Sequence, residues 1–138
     1  MPTSTNTYGE STGIERLIGD IVTNRGFSTT SIPTLLQVEL ELDAVAASLN
    51  VELMSAGYTA PVSTSDPITR RWLHDVNENG AAATLLSTLP AIAFAAGVED
   101  AGGDRISVYQ RTFNLALQRI QAQRIVASRT TSRLGRVF

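Results

Sequence analysis

The single histidine of the chain is the first residue to consider for chemistry. His74 lies next to Asp75 in the stretch RRWLHDVNEN, and a histidine beside a carboxylate could act as a general base. Such a base needs a nucleophile, but the chain has no cysteine and no serine in a nucleophile-elbow context. One histidine without cysteine also fails the usual zinc patterns. We therefore predict that His74 is a solvent-facing helix residue, and that the protein is not an enzyme and has no catalytic site, metal site or cofactor.

The carboxylates do not form a recognisable site either. Glu39, Glu41 and Asp43 are spaced by two residues, and such residues point apart on a helix. The stretch GVEDAGGD does not have the ligand spacing of a calcium loop and matches no phosphate-binding glycine pattern. We expect these acids to form a solvated surface.

Arginine is distributed very unevenly along the chain. All eleven basic residues are arginine, and residues 105–138 contain seven of them without any acid. Residues 1–104 contain all thirteen acids and the other four arginines. Because guanidinium groups bind carboxylates and phosphates in a bidentate manner, the C-terminal part is expected to meet an acidic partner.

The predicted partner-binding residues form a basic and apolar C-terminal set. Arginines recur there every three to five residues, so several guanidinium groups can face one acidic surface. Apolar residues at the end favour a protein groove over a phosphate backbone, but non-specific DNA contact stays open as the alternative. The set is Arg119, Arg124, Arg129, Arg133, Leu134, Arg136, Val137 and Phe138.

Apolar spacing predicts an all-α domain of about four helices. Residues 1–13 are polar and are predicted to be a flexible N-terminal arm, residues 14–127 the helical domain, and residues 128–138 a basic tail that is disordered when free. The first helix is predicted from about Gly13 to Asn24.

The stretch LLQVELELDAV fits both a strand and a helix. Its alternating apolar residues fit a strand, whereas the three-and-four stripe from Leu35 to Leu53 fits a helix. The stripe is too long for a typical strand, and Gly57 stands where a helix C-cap glycine belongs. We therefore predict a helix that Ser31 and Pro33 open, with the proline in its first turn.

Two further helices are predicted after this one. Asp66 caps the first, Pro67 occupies its first position, and Gly80 among alanines lets another helix approach closely. GVEDAGGD is predicted to be a loop and Asp104 to cap the last helix, which fades after about Ala127. The inner stripes are predicted to be Ile68, Trp72, Val76, Ala83 and Leu86, and then Ile106, Tyr109, Phe113, Leu117 and Ile120.

The uncharged segment Asn79–Val98 is about as long as a membrane span. It is rich in alanine and contains several polar residues and a central Pro90, so we predict a buried helix broken by proline rather than a span. The N-terminus has no basic region followed by an apolar run, so no signal peptide is expected.

The stretch LELDAVAASLNVELMSAGYTAPVSTSDPITRRWLHDVNENGAAATLLSTL resembles the head–tail connector, or adaptor, proteins of long-tailed bacteriophages. The shared pattern is an acidic helix with spaced Ala and Leu, a Gly57-Tyr58 turn followed by Pro61 and Val62, and a proline-led helix with an alanine-rich end. The resemblance covers about residues 36–90, with a weaker match of the last helix. The long N-terminal extension and the arginine-rich tail depart from the family pattern.

The resemblance implies a structural role in the neck of a virion, after synthesis in the host cytoplasm. Family members form rings, commonly of twelve copies, beneath the portal, and their C-terminal segment reaches into it. The expected partners are the portal protein, the stopper or tail protein and further copies of the chain, with no membrane. An acidic body would repel DNA in the channel. The alternative is a helical protein that binds nucleic acid non-specifically through its basic tail.

Overall fold

The computed structural model describes residues 7–19, 26–31, 33–88 and 99–123. Its helices are α1 (Ser11–Ile18), α2 (Leu35–Ser55), α3 (Pro67–Thr88) and α4 (Glu99–Gln121). Helices α2 and α3 each pack against the other three helices, and the contacts of α3 are the more extensive, so α3 is central. The predicted all-α class is confirmed for the described part of the chain.

Helix α2 forms where the sequence fits both a strand and a helix. Thr34 is its N-cap: the Thr34 side chain accepts a hydrogen bond from the Gln37 backbone, and the Gln37 side chain accepts one from the Thr34 backbone. This capping box satisfies two backbone N–H groups, so the helix starts after Pro33 and the predicted start is wrong. Gly57 ends the helix with φ 91°, as predicted. The buried face contains Val38, Leu42, Val45, Leu49 and Leu53.

Helix α3 begins at Pro67 as predicted, but its inner face differs from the predicted one. Ile68 is 83% exposed, and Trp72 is only partly buried at the edge of the core. Leu73, which lay outside the predicted stripe, is fully buried. The prediction is correct for the remaining members of the stripe, which are Val76, Ala83 and Leu86.

Gly80 lies at a close approach between α3 and two of its neighbours. A Cβ atom at this position would lie 2.6 Å from the Phe113 ring of α4 and 2.9 Å from a Val45 methyl group of α2. The predicted close helix approach at Gly80 is therefore confirmed, and three helices meet there.

Helix α4 starts earlier and ends earlier than predicted. Its backbone is helical from Glu99, so the predicted loop and the Asp104 cap are wrong. Glycine lowers helix propensity by about 1 kcal/mol, which is too little to end a helix by itself. The helix ends at Gln121, and Gln123 has φ 58°. Its predicted stripe is confirmed, with Ile120 buried and Ile106, Tyr109, Phe113 and Leu117 packed against the core.

The predicted flexible arm is wrong for the described residues 7–13. Thr7, Tyr8, Ser11 and Gly13 are all buried, and α1 starts within this segment at Ser11. The segment is polar in composition, but its polar groups find partners on α2 and α3, so it can pack. Residues 1–6 lie outside the described residues, as do residues 20–25, where the predicted first helix continued.

Candidate functional site

Glu78 is a buried carboxylate at the contact between α3 and the N-terminal segment. Its side chain is 3% exposed. One oxygen, Oε2, accepts a hydrogen bond from the Glu10 backbone N–H at 3.0 Å and contacts His74 Nε2 at 2.9 Å. The other oxygen, Oε1, lies 3.5 Å from the Arg16 guanidinium. Burial raises the pKa of Glu78, while the Glu10 hydrogen bond, His74 and Arg16 oppose that rise. The carboxylate thus joins α1 to α3.

His74 does not face solvent, so that prediction is wrong. Its side chain is 18% exposed, and its Nδ1 lies 3.1 Å from an Asp75 oxygen while Nε2 contacts Glu78. Both ring nitrogens therefore meet carboxylates, which leaves neither directed at a hydroxyl nucleophile. The ligand atoms of these three residues lie within 4.8 Å of one another. These atoms already contact one another and the Glu10 backbone, so we assign the cluster of His74, Asp75 and Glu78 a structural role.

Asn77 holds the N-terminal segment through its side-chain amide. Its Oδ1 accepts hydrogen bonds from the backbone N–H groups of Tyr8 at 3.1 Å and Gly9 at 2.9 Å. Its Nδ2 donates to the Leu42 carbonyl at 3.1 Å. Asn77 is fully buried, and a buried amide is stable only when it is bonded in this way.

Tyr8 inserts into the core beside this amide. Its hydroxyl donates to Asn50 Oδ1 and accepts from the Val62 N–H at 3.0 Å. The Arg70 guanidinium lies 5.0 Å from the centre of the Tyr8 ring, within cation–π distance. Sequence reasoning missed these residues. The available signal was an asparagine on each apolar face, at positions 50 and 77.

Glu39, Glu41 and Asp43 of α2 do not converge, as predicted, but they are not a simple solvated surface. Asp43 accepts a hydrogen bond from the Thr7 hydroxyl. Glu41 lies on the other side of α2, where it lines a groove of about 220 Å³ with Gly80 and Phe113, and burial raises its pKa. All three acids, including Glu39, are half-buried.

A second apolar face lies on the outer side of α2, and we call it the α2 stripe. Leu36, Leu40, Val51 and Met54 are 55% exposed or more, whereas the opposite face is buried. Their successive spacings of four, eleven and three residues keep them on one side of the helix. The full stripe contains Leu36, Leu40, Ala44, Ala47, Val51 and Met54.

The outer side of α4 is also partly apolar, but it is basic. Val108 is 55% exposed and Leu115 is 52% exposed. Arg111 and Arg119 are exposed on the same side, and Ala122 continues the line. We call these five residues the α4 outer face.

Of the eight predicted partner-binding residues, one lies within the described part of the chain. Arg119 lies near the end of α4 and is exposed. Arg124, which was predicted to lie on the last helix, lies outside the described residues. The other six, Arg129, Arg133, Leu134, Arg136, Val137 and Phe138, also lie outside them.

Comparisons with protein-family models, curated proteins and solved structures found no match to this chain. Within the described ranges, no helix has both the length and the apolar composition that a membrane span requires. Residues 89–98 of the uncharged segment lie outside those ranges.

Proposed function

We propose that this chain is a structural adaptor of a phage neck, which forms a ring between the portal vertex and the stopper or tail and lets DNA pass. The observation on which the proposal rests is the α2 stripe. Helix α2 buries one apolar face and exposes another, with acids on both sides of the exposed one. An exposed apolar surface with a polar rim is typical of a protein–protein interface.

The turn between α2 and α3 supports the proposal, because it contains the residues of the family resemblance. Gly57 adopts a positive φ, Tyr58 is fully buried, and Val62 is 2% exposed. These three residues of the turn therefore have a structural reason to be present. The turn sets the two long helices side by side, as a compact ring subunit requires.

The charge distribution supports both parts of the proposed role, the passage of DNA and the binding of the portal. The acids of residues 1–104 would repel DNA from the body of the subunit, and the arginines of residues 105–138 would bind an acidic portal surface. A ring repeats each contact, so a weak contact per subunit is sufficient for tight docking.

Docking to capsids tests the proposal. The purified chain is added to DNA-filled capsids that bear the portal but lack neck proteins, and bound chain is measured after sedimentation. We expect the full chain to bind and a chain without residues 128–138 to remain folded but lose binding. A matched variant with Arg129, Arg133 and Arg136 changed to Gln keeps the length of the tail and isolates its charge. Failure of the full chain to bind would refute the adaptor role.

A nucleic-acid-associated role is the second candidate, and the acid-free run of seven arginines favours it. In that case the full chain should bind DNA of any sequence, with an affinity that falls steeply as salt increases. The chain without residues 128–138 should lose most of that affinity. Salt-sensitive DNA binding together with absent capsid docking would favour this role over the adaptor role.

A further inference from the structure

We infer that the α2 stripe of one copy packs against the α4 outer face of the next copy, so that the chain associates head to tail. This inference deepens the proposed ring and rests on that function for its biological setting. It specifies which two surfaces meet and therefore which residues are buried between neighbouring copies.

The shapes of the two surfaces are compatible. The apolar residues of the α4 outer face, Val108, Leu115 and Ala122, are seven positions apart and lie in one line along α4 and the residue that follows it. The α2 stripe repeats at intervals of three and four residues along nearly the whole of α2. Two such lines can pack side by side as helices do in bundles.

The charges of the two surfaces are opposite. Helix α2 contains four acids, Glu39, Glu41, Asp43 and Glu52, and no basic residue. Between residues 105 and 121, helix α4 contains three arginines and no acid. Helix α4 also contains Glu99, Asp100 and Asp104 in its first turns, but these precede the α4 outer face. Pairing the α2 stripe with a second α2 stripe would bring like charges together, and so would pairing the α4 outer face with a second α4 outer face. Only the mixed contact places arginines beside carboxylates, and opposite charges of this kind select the partner.

The two surfaces lie at different places on the chain, so each copy can bind one neighbour with each surface. Within one chain α2 and α4 are neighbours, since Gln121 of α4 donates a hydrogen bond to Glu52 of α2 at 3.2 Å. Their outer sides remain exposed, so one chain offers two different and complementary surfaces. A contact between different surfaces adds copies in one direction and closes into a ring when the rotation permits.

Cysteine cross-linking tests the contact, because the natural chain has no cysteine to interfere. Single variants Leu40→Cys and Val51→Cys report on the α2 stripe, and Leu115→Cys reports on the α4 outer face. Ile68→Cys is the matched control, because Ile68 is an apolar residue, 83% exposed, that lies on neither surface. Each variant is treated alone and in pairs with a short bis-maleimide reagent at high protein concentration, which also traps transient association.

Mixtures of an α2 variant with Leu115→Cys should give mixed dimers in at least about tenfold excess over the dimers of either variant alone. Raising the salt concentration should reduce that yield, because the exposed charges are then screened. Predominant dimers of Val51→Cys alone would instead indicate a two-fold α2 contact and overturn the inference. Cross-linking no better than with Ile68→Cys, or none in any mixture, would also overturn it.

Failure of this contact and failure of the adaptor role are separable. The cross-linking experiment uses only the chain itself, whereas the docking experiment needs portal-bearing capsids. Mixed dimers without capsid docking would retain the α2–α4 contact and reject the adaptor role. Capsid docking without mixed dimers would retain the adaptor role and reject the contact.

Discussion

Glu78 illustrates at the scale of one residue how a buried charge can be retained. An isolated carboxylate is costly to bury, and removing one member of a buried polar pair costs more than removing both. Here the carboxylate has a backbone N–H from Glu10, an imidazole nitrogen from His74 and a guanidinium from Arg16. These partners come from two segments, so the charge also fixes how α1 docks on α3.

The pH dependence of stability should reflect Glu78. Burial raises its folded-state pKa, and Asp75 adds to the rise, so the folded chain holds this proton more tightly than the unfolded chain. Its contribution to stability is therefore greatest below the unfolded pKa of about 4.3 and is lost as the pH rises through the folded pKa. In the Glu78→Gln variant, the unfolding free energy should therefore fall less steeply as the pH rises through this range. Urea denaturation at several pH values measures the difference.

The matched control for that experiment is Glu39→Gln, which changes a half-buried acid of α2 outside the cluster. Both variants keep Glu41, whose pKa burial also raises. The control should follow the pH profile of the natural chain. If Glu78→Gln follows it as well, the cluster does not govern the profile.

Gly13 should not tolerate a side chain. A Cβ atom there would lie 2.0 Å from the Glu78 carboxylate, which is held by three partners and cannot easily move. Gly13→Ala should lower the unfolding free energy by roughly 1–3 kcal/mol through overpacking. Thr12→Ala is the control, because Thr12 is the exposed neighbour in α1 and should change stability by about 0.5 kcal/mol or less. Equal effects of the two changes in chemical denaturation would contradict the packing shown here.

At the scale of elements, the two apolar faces of α2 explain why its sequence fits both a strand and a helix. The alternation that fits a strand arises because Leu40 belongs to the outer stripe while Val38 and Leu42 belong to the core. A helix with two apolar faces places apolar residues at more positions than one stripe requires. The strand-like pattern was therefore a signal of a second apolar face.

The inner face of α3 can be tested with two neighbouring residues. Leu73 is fully buried, so Leu73→Ala should cost roughly 2–5 kcal/mol of unfolding free energy. Trp72 is only partly buried, so Trp72→Ala should cost less than Leu73→Ala, although the side chain removed is larger. Thermal melting of both variants measures the order. A larger loss for Trp72→Ala would restore the face predicted from the sequence.

At the scale of the whole molecule, the N-terminal segment should act as part of the core. Removing residues 1–10 deletes Tyr8, with its hydrogen bonds to Asn50 and Val62, and leaves the Asn77 amide without two donors. Compared with removal of residues 1–6 alone, this truncation should cost at least about 2 kcal/mol of unfolding free energy. Similar denaturation midpoints for the two truncations would show that residues 7–10 do not stabilise the fold.

The local parts of the fold were determined by the sequence alone. The stripes of α2 and α4, the Pro67 start and the Gly57 end depend on residues within a few turns of one another, and each was predicted. The close approach at Gly80 was predicted from the small residues around it, although the residues that approach it, Val45 and Phe113, are distant in sequence. Of the predicted partner-binding residues, only Arg119 can be placed, on the exposed side of α4.

Only the tertiary structure decided the place of the N-terminal segment and the surroundings of His74 and Glu78. The physical reason is that polar groups become stable in a core through specific partners, and those partners are distant in sequence. Tyr8 and Asn77 are separated by 69 positions. A polar segment whose hydrogen-bond acceptor lies that far along the chain has the same local composition as a flexible arm, and only the folded chain brings the two together.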